Sequence, residues 1–165
     1  MKLDRINLRL LAELQHDGRI TNQALAERVG LSPSACLDRV RRLQEEGVVE
    51  GFGARIDLEQ VCQSVTIIAT ITLHDHRKKH MERFEAEVKS LDEVVECHQV
   101  SGVFDYMLNV VCRDMRHYQT VSDRLIEAGA GVIELCSHVV MDRTKPFSGY
   151  PLDALQPPSK QSTQK

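Results

Sequence analysis

Residues 17–47 read DGRITNQALAERVGLSPSACLDRVRRLQEEG, and this stretch decides the fold of the N-terminal part of the chain. Thr21 is suited to cap a short helix that Gly30 ends. Ser32, followed by a proline, is typical of the start of another helix, which Gly47 ends. Two short helices joined by a tight turn that contains glycine indicate a helix-turn-helix.

An amphipathic helix is predicted on the N-terminal side of this stretch. Leu3, Ile6, Leu10 and Leu14 recur at helical spacing, and Asp4 is placed to cap the helix. We therefore expect residues 1–50 to form a winged-type helix-turn-helix of three helices.

The third of these helices is predicted to expose a basic surface. Cys36, Val40 and Leu43 form its inward stripe, which leaves small and basic side chains outside. A small helix start suits entry into the major groove, and arginines can reach phosphates or guanine edges. The candidate DNA-binding residues are Ser32, Ser34, Asp38, Arg39, Arg41 and Arg42. Asp38 fits least well, because a carboxylate repels phosphates. A solvated face whose charges pair with one another is the alternative interpretation.

Composition points to an assembly of several chains. The formal net charge is −3, so DNA binding would depend on a local basic patch and on several copies acting together. The 165 residues include no Trp, and aromatic residues make up only 4%, so two small domains would each have a thin core. Such domains commonly gain stability by burying surface against a partner chain.

The second half of the chain predicts an α+β domain. Residues 65–73 alternate apolar and polar side chains, as a half-buried strand does. Further strands are predicted at 94–100, 106–112 and 132–141, with helical spacing over 81–91 and 118–125. The order β-α-β-β-α-β is the ferredoxin-like arrangement, assigned here to residues 64–150. Residues 51–63 are predicted to form a linker strand, at 52–57, and a connection, and 151–165 a disordered tail.

A second chain is expected to cover the face of the sheet that the helices leave open. The Thr-rich strand at 65–73, with Val110 and the Val139–Val140 pair, is predicted to supply that face. A homodimer packed sheet to sheet would bury it.

The turn at 101–106 is the best candidate for binding a small molecule. A free amino acid needs an acceptor for its ammonium group, which Asp105 can supply, and backbone amides for its carboxylate, which Gly102 leaves accessible. The alternative is an ordinary hairpin turn in which the aspartate bonds its own backbone.

The chain resembles the leucine-responsive regulatory protein/AsnC family of transcription regulators over nearly its whole length, to about residue 152. The resemblance is carried by Leu3-Asp4-Arg5, Asp17–Asn22, Leu25-Ala26, Val29–Pro33, Cys36, Arg39-Val40, Arg42-Leu43, Gly47, Gly51-Phe52 and Ala54. It implies double-stranded DNA as partner and a recognition helix that carries Ser34, Asp38, Arg39 and Arg42. It also implies that the second domain binds an amino acid and forms dimers that associate into tetramers or octamers.

The same resemblance implies a set of effector-binding residues between dimers. These are Gln99, Gly102, Val103, Phe104, Asp105, Tyr106, Met115, His138 and Val140, with Val139 nearby. Gln99 and His138 stand where relatives are often more apolar or aromatic, which favours a ligand more polar than leucine.

Other signals are set aside. The five cysteines include no C-x-x-C pair, so neither disulfides nor zinc are predicted, and no cofactor is expected. His74, His76 and His80 lie beside Arg77 and two lysines, which favours a basic loop over a metal site. No catalytic triad, signal peptide or membrane-spanning run is evident, so a non-enzyme in the cytoplasm is predicted.

Two other functions stay open from the sequence. One is a nonspecific architectural DNA-binding protein. The other is an enzyme like the tetrapyrrole decarboxylases, some of which resemble this family in both domains; such an enzyme would not need Arg39, Arg41 and Arg42 to contact DNA.

Overall fold

The computed structural model describes residues 3–128, 131–152 and 154–155. Its elements in chain order are α1 (Arg5–His16), α2 (Asn22–Val29), α3 (Pro33–Glu45), α4 (Leu58–Val61), β1 (Val65–Leu73), α5 (Lys78–Ser90), β2 (Val94–Gln99), β3 (Tyr106–Cys112), α6 (Met115–Glu127) and β4 (Val132–Val139). They divide into two compact units. One holds the residues up to Arg55 and those from Lys145 onward, and the other holds Ile56–Thr144.

The predicted side-chain caps begin the first three helices. Asp4, Thr21 and Ser32 each accept a hydrogen bond from the backbone N–H three residues later. These bonds satisfy donors that the first turn of a helix leaves without a partner. Gly30 ends α2 with a φ of 75°, a left-handed conformation that glycine adopts without strain. The tight turn between α2 and α3 therefore follows from local sequence.

The helical unit has a small aliphatic core. Its buried members are Leu10, Leu14, Leu25, Ala26, Val29, Cys36 and Leu43. Cys36 and Leu43 are fully buried, and Val40 packs against them, so the predicted inward stripe of α3 is confirmed.

A short segment after Thr144 belongs to this helical unit. The Gln15 side chain donates to the Tyr150 carbonyl and accepts from the Tyr150 backbone N–H, each at 2.9 Å. Residues 145–150, predicted from the sequence to end the second domain, group with the helical unit by their contacts, and this paired bond links Tyr150 to α1. The predicted disordered tail lies mostly outside the described residues.

The second unit is a four-stranded antiparallel sheet with strand order β2-β3-β1-β4. The alternation predicted for residues 65–73 is confirmed, since Ile67, Ala69 and Ile71 are fully buried and Thr66, Ile68 and Thr70 only half-buried. The core side packs on α5 and α6 through Phe84, Val88, Tyr118, Val121 and Leu125. The ferredoxin-like order of elements is thereby confirmed.

Two predictions about this unit are wrong. Val110 is fully buried within the helix-covered core, because it shares the face of its β1 partner Ile67. The open face contains Asn109 and Met107 instead, which pair with Ile68 and Thr70. The linker strand at 52–57 is absent: these residues find no strand partner in the single chain, and α4 follows them.

Candidate nucleic-acid interface and effector site

Four of the six candidate DNA-binding side chains lie together on the exposed surface of α3. Ser34, Asp38, Arg41 and Arg42 are all exposed. They project away from the Cys36–Leu43 stripe, because helix geometry puts positions two, five and six residues after Cys36 on the far side. This surface combines a small residue near the helix start with two cations further along, and we call it the α3 face.

The two arginines of the α3 face differ in their contacts. Arg42 Nε donates to Glu46 Oε1 at 3.0 Å, an exposed pair one turn apart. Such a pair contributes little stability and exchanges readily for another anion. Arg41 makes no ion pair or side-chain hydrogen bond within the described parts of the chain. Its guanidinium is therefore available to a phosphate.

Arg39 has an internal role that the sequence did not predict. Its Nη1 donates to Asp4 Oδ2 at 2.7 Å and to Asn7 Oδ1 at 2.8 Å. Asn7 is buried, so its amide oxygen needs a donor, and Arg39 supplies one. Arg39 therefore joins the N-terminus of α1 to α3 and lies at the edge of the α3 face rather than within it.

Replacing Arg39 with alanine is expected to lower the unfolding midpoint of the helical unit by a few degrees near neutral pH. The Arg39 hydrogen bond is the main cause that lowers the pKa of Asp4. A carboxyl whose pKa is lowered by folding stabilises the fold above its unfolded pKa and loses that contribution as pH falls through the folded value. The difference in unfolding midpoint between the wild type and Arg39→Ala should therefore shrink below about pH 4. It should not vanish there, because the hydrogen bond from Arg39 to Asn7 remains.

Thermal unfolding at neutral and acid pH checks this prediction, with Arg42→Ala as the matched control. The control removes an exposed arginine of the same helix and should leave the midpoint nearly unchanged. Equal midpoints for Arg39→Ala and the wild type at neutral pH would contradict the assigned role.

Ser32 and Asn22 organise the turn of the motif. Ser32 Oγ accepts from the Ala35 backbone N–H at 3.3 Å and lies 3.3 Å from Ser34 Oγ, so its hydroxyl serves the fold as well as the surface. Asn22 Nδ2 donates to the Pro33 carbonyl at 2.8 Å and ties α2 to the start of α3. The sequence offered no signal for the Asn22 contact beyond its place in the motif.

The turn between β2 and β3 is exposed at its tip. Gly102 has a φ of 132°, which favours glycine, and Val103 is 89% exposed. Asp105 closes the turn: its backbone N–H donates to the Ile71 carbonyl at 2.8 Å. Its Oδ2 accepts from the Leu73 N–H at 2.7 Å, and Oδ1 lies 2.6 Å from His76 Nε2. The carboxylate thus bonds the neighbouring strand β1 and the loop after it.

Tyr106 and Gln99 lie on the side of the sheet that the helices cover. Tyr106 is buried, and its hydroxyl donates to Glu85 Oε1 at 3.0 Å. Burial and the Glu85 carboxylate raise the pKa of Tyr106 well above its usual range. Both residues line a shallow cleft between α5 and β2, together with Cys97. The Tyr106 hydroxyl is therefore engaged within the chain.

Other candidate effector residues lie away from the turn, at the middle and at the opposite end of the sheet. Met115 begins α6 just beyond the end of β3, whereas the Gly102 turn precedes the start of that strand. The Val140 backbone N–H donates to the Thr66 carbonyl near the start of β1. His138 is exposed across from Ile68, with its Nε2 3.6 Å from Cys136 Sγ. The seven-residue strand β3, roughly 20 Å long, separates Met115 from the turn, whereas His138 lies level with Asn109 in the middle of that strand.

Two histidine–carboxylate pairs lie where β1 leads into α5. His80 Nδ1 lies 2.9 Å from Asp75 Oδ1, and His76 contacts Asp105. Among the residues the structure describes, no group of three or more His, Cys, Asp or Glu is arranged to hold a metal ion. Within the same ranges, no helix has the length and apolar character needed to span a membrane.

Both units match known protein families. Residues 66–150 match the Lrp/AsnC ligand binding domain, and residues 3–50 match a winged helix-turn-helix DNA-binding domain. The leucine-responsive regulatory proteins of Salmonella typhimurium and Escherichia coli are 41% identical to the chain over 143 residues, which is 87% of each protein.

Solved structures give the same match. An AsnC family transcriptional regulator from Agrobacterium tumefaciens has a TM-score of 0.84 at 32% identity, covering 93% of this chain and 100% of that one. A transcriptional regulator from Neisseria meningitidis in complex with L-Met has a TM-score of 0.85 at 33% identity, covering 94% and 100%. The feast or famine regulatory protein from M. tuberculosis, complexed with L-methionine, has a TM-score of 0.81 at 32% identity, covering 90% and 99%.

Proposed function

The chain belongs to the Lrp/AsnC family of transcriptional regulators, and from that premise we propose that it binds specific DNA through the α3 face and responds to an amino acid. The observation that carries the proposal is α3 itself. Its inward stripe is buried, while Ser34, Arg41 and Arg42 are exposed. A recognition helix needs this division, because it must pack on its own unit and enter the major groove at the same time.

Arg41 and Arg42 are the proposed phosphate or guanine contacts of the α3 face. Ser34 allows close approach at the start of the helix, and Arg39 holds α3 in place through Asp4. Asp38 is exposed on the same face, and we propose that it accepts from a cytosine amine. Since each chain offers few cations and its net charge is negative, tight binding requires several chains on one DNA.

A homodimer through the open sheet face is the proposed first step of assembly. This face carries Ile68, Thr70 and Met107, which are only half-buried. Asn109 lies at its centre, and its buried Oδ1 has no hydrogen-bond partner among the described residues. A buried acceptor without a donor is costly, so a donor from a second chain would stabilise it. Further association into tetramers or octamers remains part of the proposal.

The proposed effector site needs two chains. The Gly102 turn offers backbone amides and Asp105 to an amino acid, while Met115 and Val140 lie at the other end of the sheet and His138 near its middle. One chain does not bring the two groups together, and a neighbouring dimer is proposed to do so. The L-methionine bound by two structurally similar regulators supports an amino acid as the class of ligand.

An effector can change assembly only by binding one assembly state more tightly than another. We therefore expect L-methionine, or another amino acid found by a thermal-shift screen of the twenty, to change the molar mass in light scattering. The same ligand should change the affinity for DNA. A protein whose mass and DNA affinity are constant across all twenty amino acids would contradict the effector half of the proposal.

Footprinting tests the specificity of DNA binding. On the promoter region of its own gene, the protein should protect discrete sites, and protection should survive an excess of unrelated DNA. Half-sites about one helical turn apart are expected for a dimer. Protection that spreads evenly and disappears with competitor DNA would favour the architectural alternative. Because the proposed partner is chromosomal DNA, we place the protein in the cytoplasm.

A further inference from the structure

The His76 imidazole lies on the solvent side of the Asp105 carboxylate, which is the ammonium acceptor of the proposed effector site. His76 is 71% exposed at its side chain and Asp105 only 16% exposed, with 2.6 Å between His76 Nε2 and Asp105 Oδ1. The other carboxylate oxygen is held at 2.7 Å by the backbone N–H of Leu73. Of these two partners, only His76 can leave without breaking the sheet, since Leu73 belongs to β1.

An imidazole N–H and an ammonium N–H can both donate to a carboxylate oxygen. The two groups therefore compete for the same oxygen. An incoming amino acid that approaches Asp105 from solvent meets the His76 ring first.

We propose that His76 is a positioning and specificity-determining residue, which fills the ammonium position at Asp105 until an amino acid displaces it. The inference rests on the proposed function, because it takes Asp105 as the ammonium acceptor. Displacement reduces the apparent affinity by the fraction of chains in which His76 has released Asp105. It also selects for ligands with an amino group, since a carboxylic acid that lacks one gains nothing by removing the ring.

Asp105 is the carboxylate that His76 contacts, while the neighbouring Asp75 is bonded to other donors. Asp75 is occupied by His80 Nδ1 at 2.9 Å, by the Arg77 backbone N–H at 3.0 Å and by Arg77 Nε at 3.6 Å. On α5, Lys78 Nζ lies 3.6 Å from Glu82 Oε1. His74, the residue after β1, is exposed beside Gly131. These cations keep the loop basic but do not contact Asp105.

Calorimetric titration of the full chain with L-methionine tests the inference. His76→Ala should bind L-methionine about fivefold more tightly than the wild type, because no donor has to leave Asp105 first. His76→Gln, which keeps a side-chain donor, should bind more nearly as the wild type does. His16→Gln, a change at the exposed end of α1, should behave as the wild type does. A His76→Ala protein that binds L-methionine with the wild-type affinity, or more weakly, overturns the inference.

An NMR measurement distinguishes failure of this inference from failure of the proposed function. In free protein, Asp105→Asn should move the NMR resonances of the His76 ring, and saturating the wild type with L-methionine should move them similarly. Unmoved resonances in Asp105→Asn overturn the contact and the inference while leaving the proposed function intact. Moved resonances without binding of any of the twenty amino acids, by the wild type or His76→Ala, overturn the effector half of the proposed function and the inference with it.

Discussion

The double substitution Arg41→Ala with Arg42→Ala is expected to weaken binding to the promoter region of the protein's own gene by about tenfold or more. Both guanidinium groups are exposed on the α3 face, and neither supports the core. Removing two phosphate contacts per bound chain also removes the release of the counterions that those phosphates hold. The slope of log affinity against log salt should therefore become shallower by about 2 per bound chain.

Electrophoretic mobility or fluorescence anisotropy measured over a series of salt concentrations checks this expectation. Arg113→Ala with Arg116→Ala is the matched control, because it removes the same charge from the other unit. Its salt slope should equal that of the wild type. If both double variants lose affinity to the same degree, the effect comes from net charge, and the α3 face loses its assigned role.

The substitution Phe84→Ala is expected to destabilise the sheet unit by about 3–5 kcal/mol. The Phe84 ring is fully buried, and its centroid lies 4.7 Å from that of Tyr106 at an interplanar angle of 44°. The ring fills the space between α5 and the sheet, and alanine leaves a cavity that the small core cannot close. This loss is a large part of the total free energy of unfolding of a domain of this size.

Urea unfolding followed by circular dichroism and by hydrogen exchange checks the Phe84 prediction. Hydrogen exchange reports each unit separately, so the loss should appear in α5 and the sheet and not in α1–α3. Val103→Ala is the control: its side chain is almost fully exposed, and the change should cost less than about 0.5 kcal/mol. Equal stability of Phe84→Ala and the control would mean that α5 does not pack as described.

Local features of the fold were predictable because their causes lie within a few residues. The caps at Asp4, Thr21 and Ser32 need only a side chain and an amide three residues away. The alternation at 65–73 reflects one strand with one covered face. The order β-α-β-β-α-β along the chain then follows directly from the positions of the predicted strands and helices.

Features that join distant residues were not predictable. Arg39 meets Asp4 across 35 positions, and its place beside the Cys36–Leu43 stripe of α3 does not reveal that partner. The segment at 52–57 has the composition of a strand, but a strand also needs a neighbour, and the single chain supplies none.

The candidate effector residues were named from the sequence as a set, but their arrangement in the chain was not predictable. The Gly102 turn was identified from its residue types, yet the His76 contact depends on how the loop after β1 folds back. Tyr106 is predicted to lie near the ligand, and the sequence did not reveal that its hydroxyl bonds Glu85. The length of β3 separates Met115 from the turn, and residue types do not reveal that separation.

The bond between Gln15 and Tyr150 makes the chain's architecture that of a module inserted into another module. Everything from Ile56 to Thr144 leaves the helical unit and returns to it, so two peptide junctions join the parts. A transplant of the DNA-reading part into another protein must therefore carry both ends of the chain. Conversely, a foreign sensor would replace the second unit in a single exchange between these two junctions.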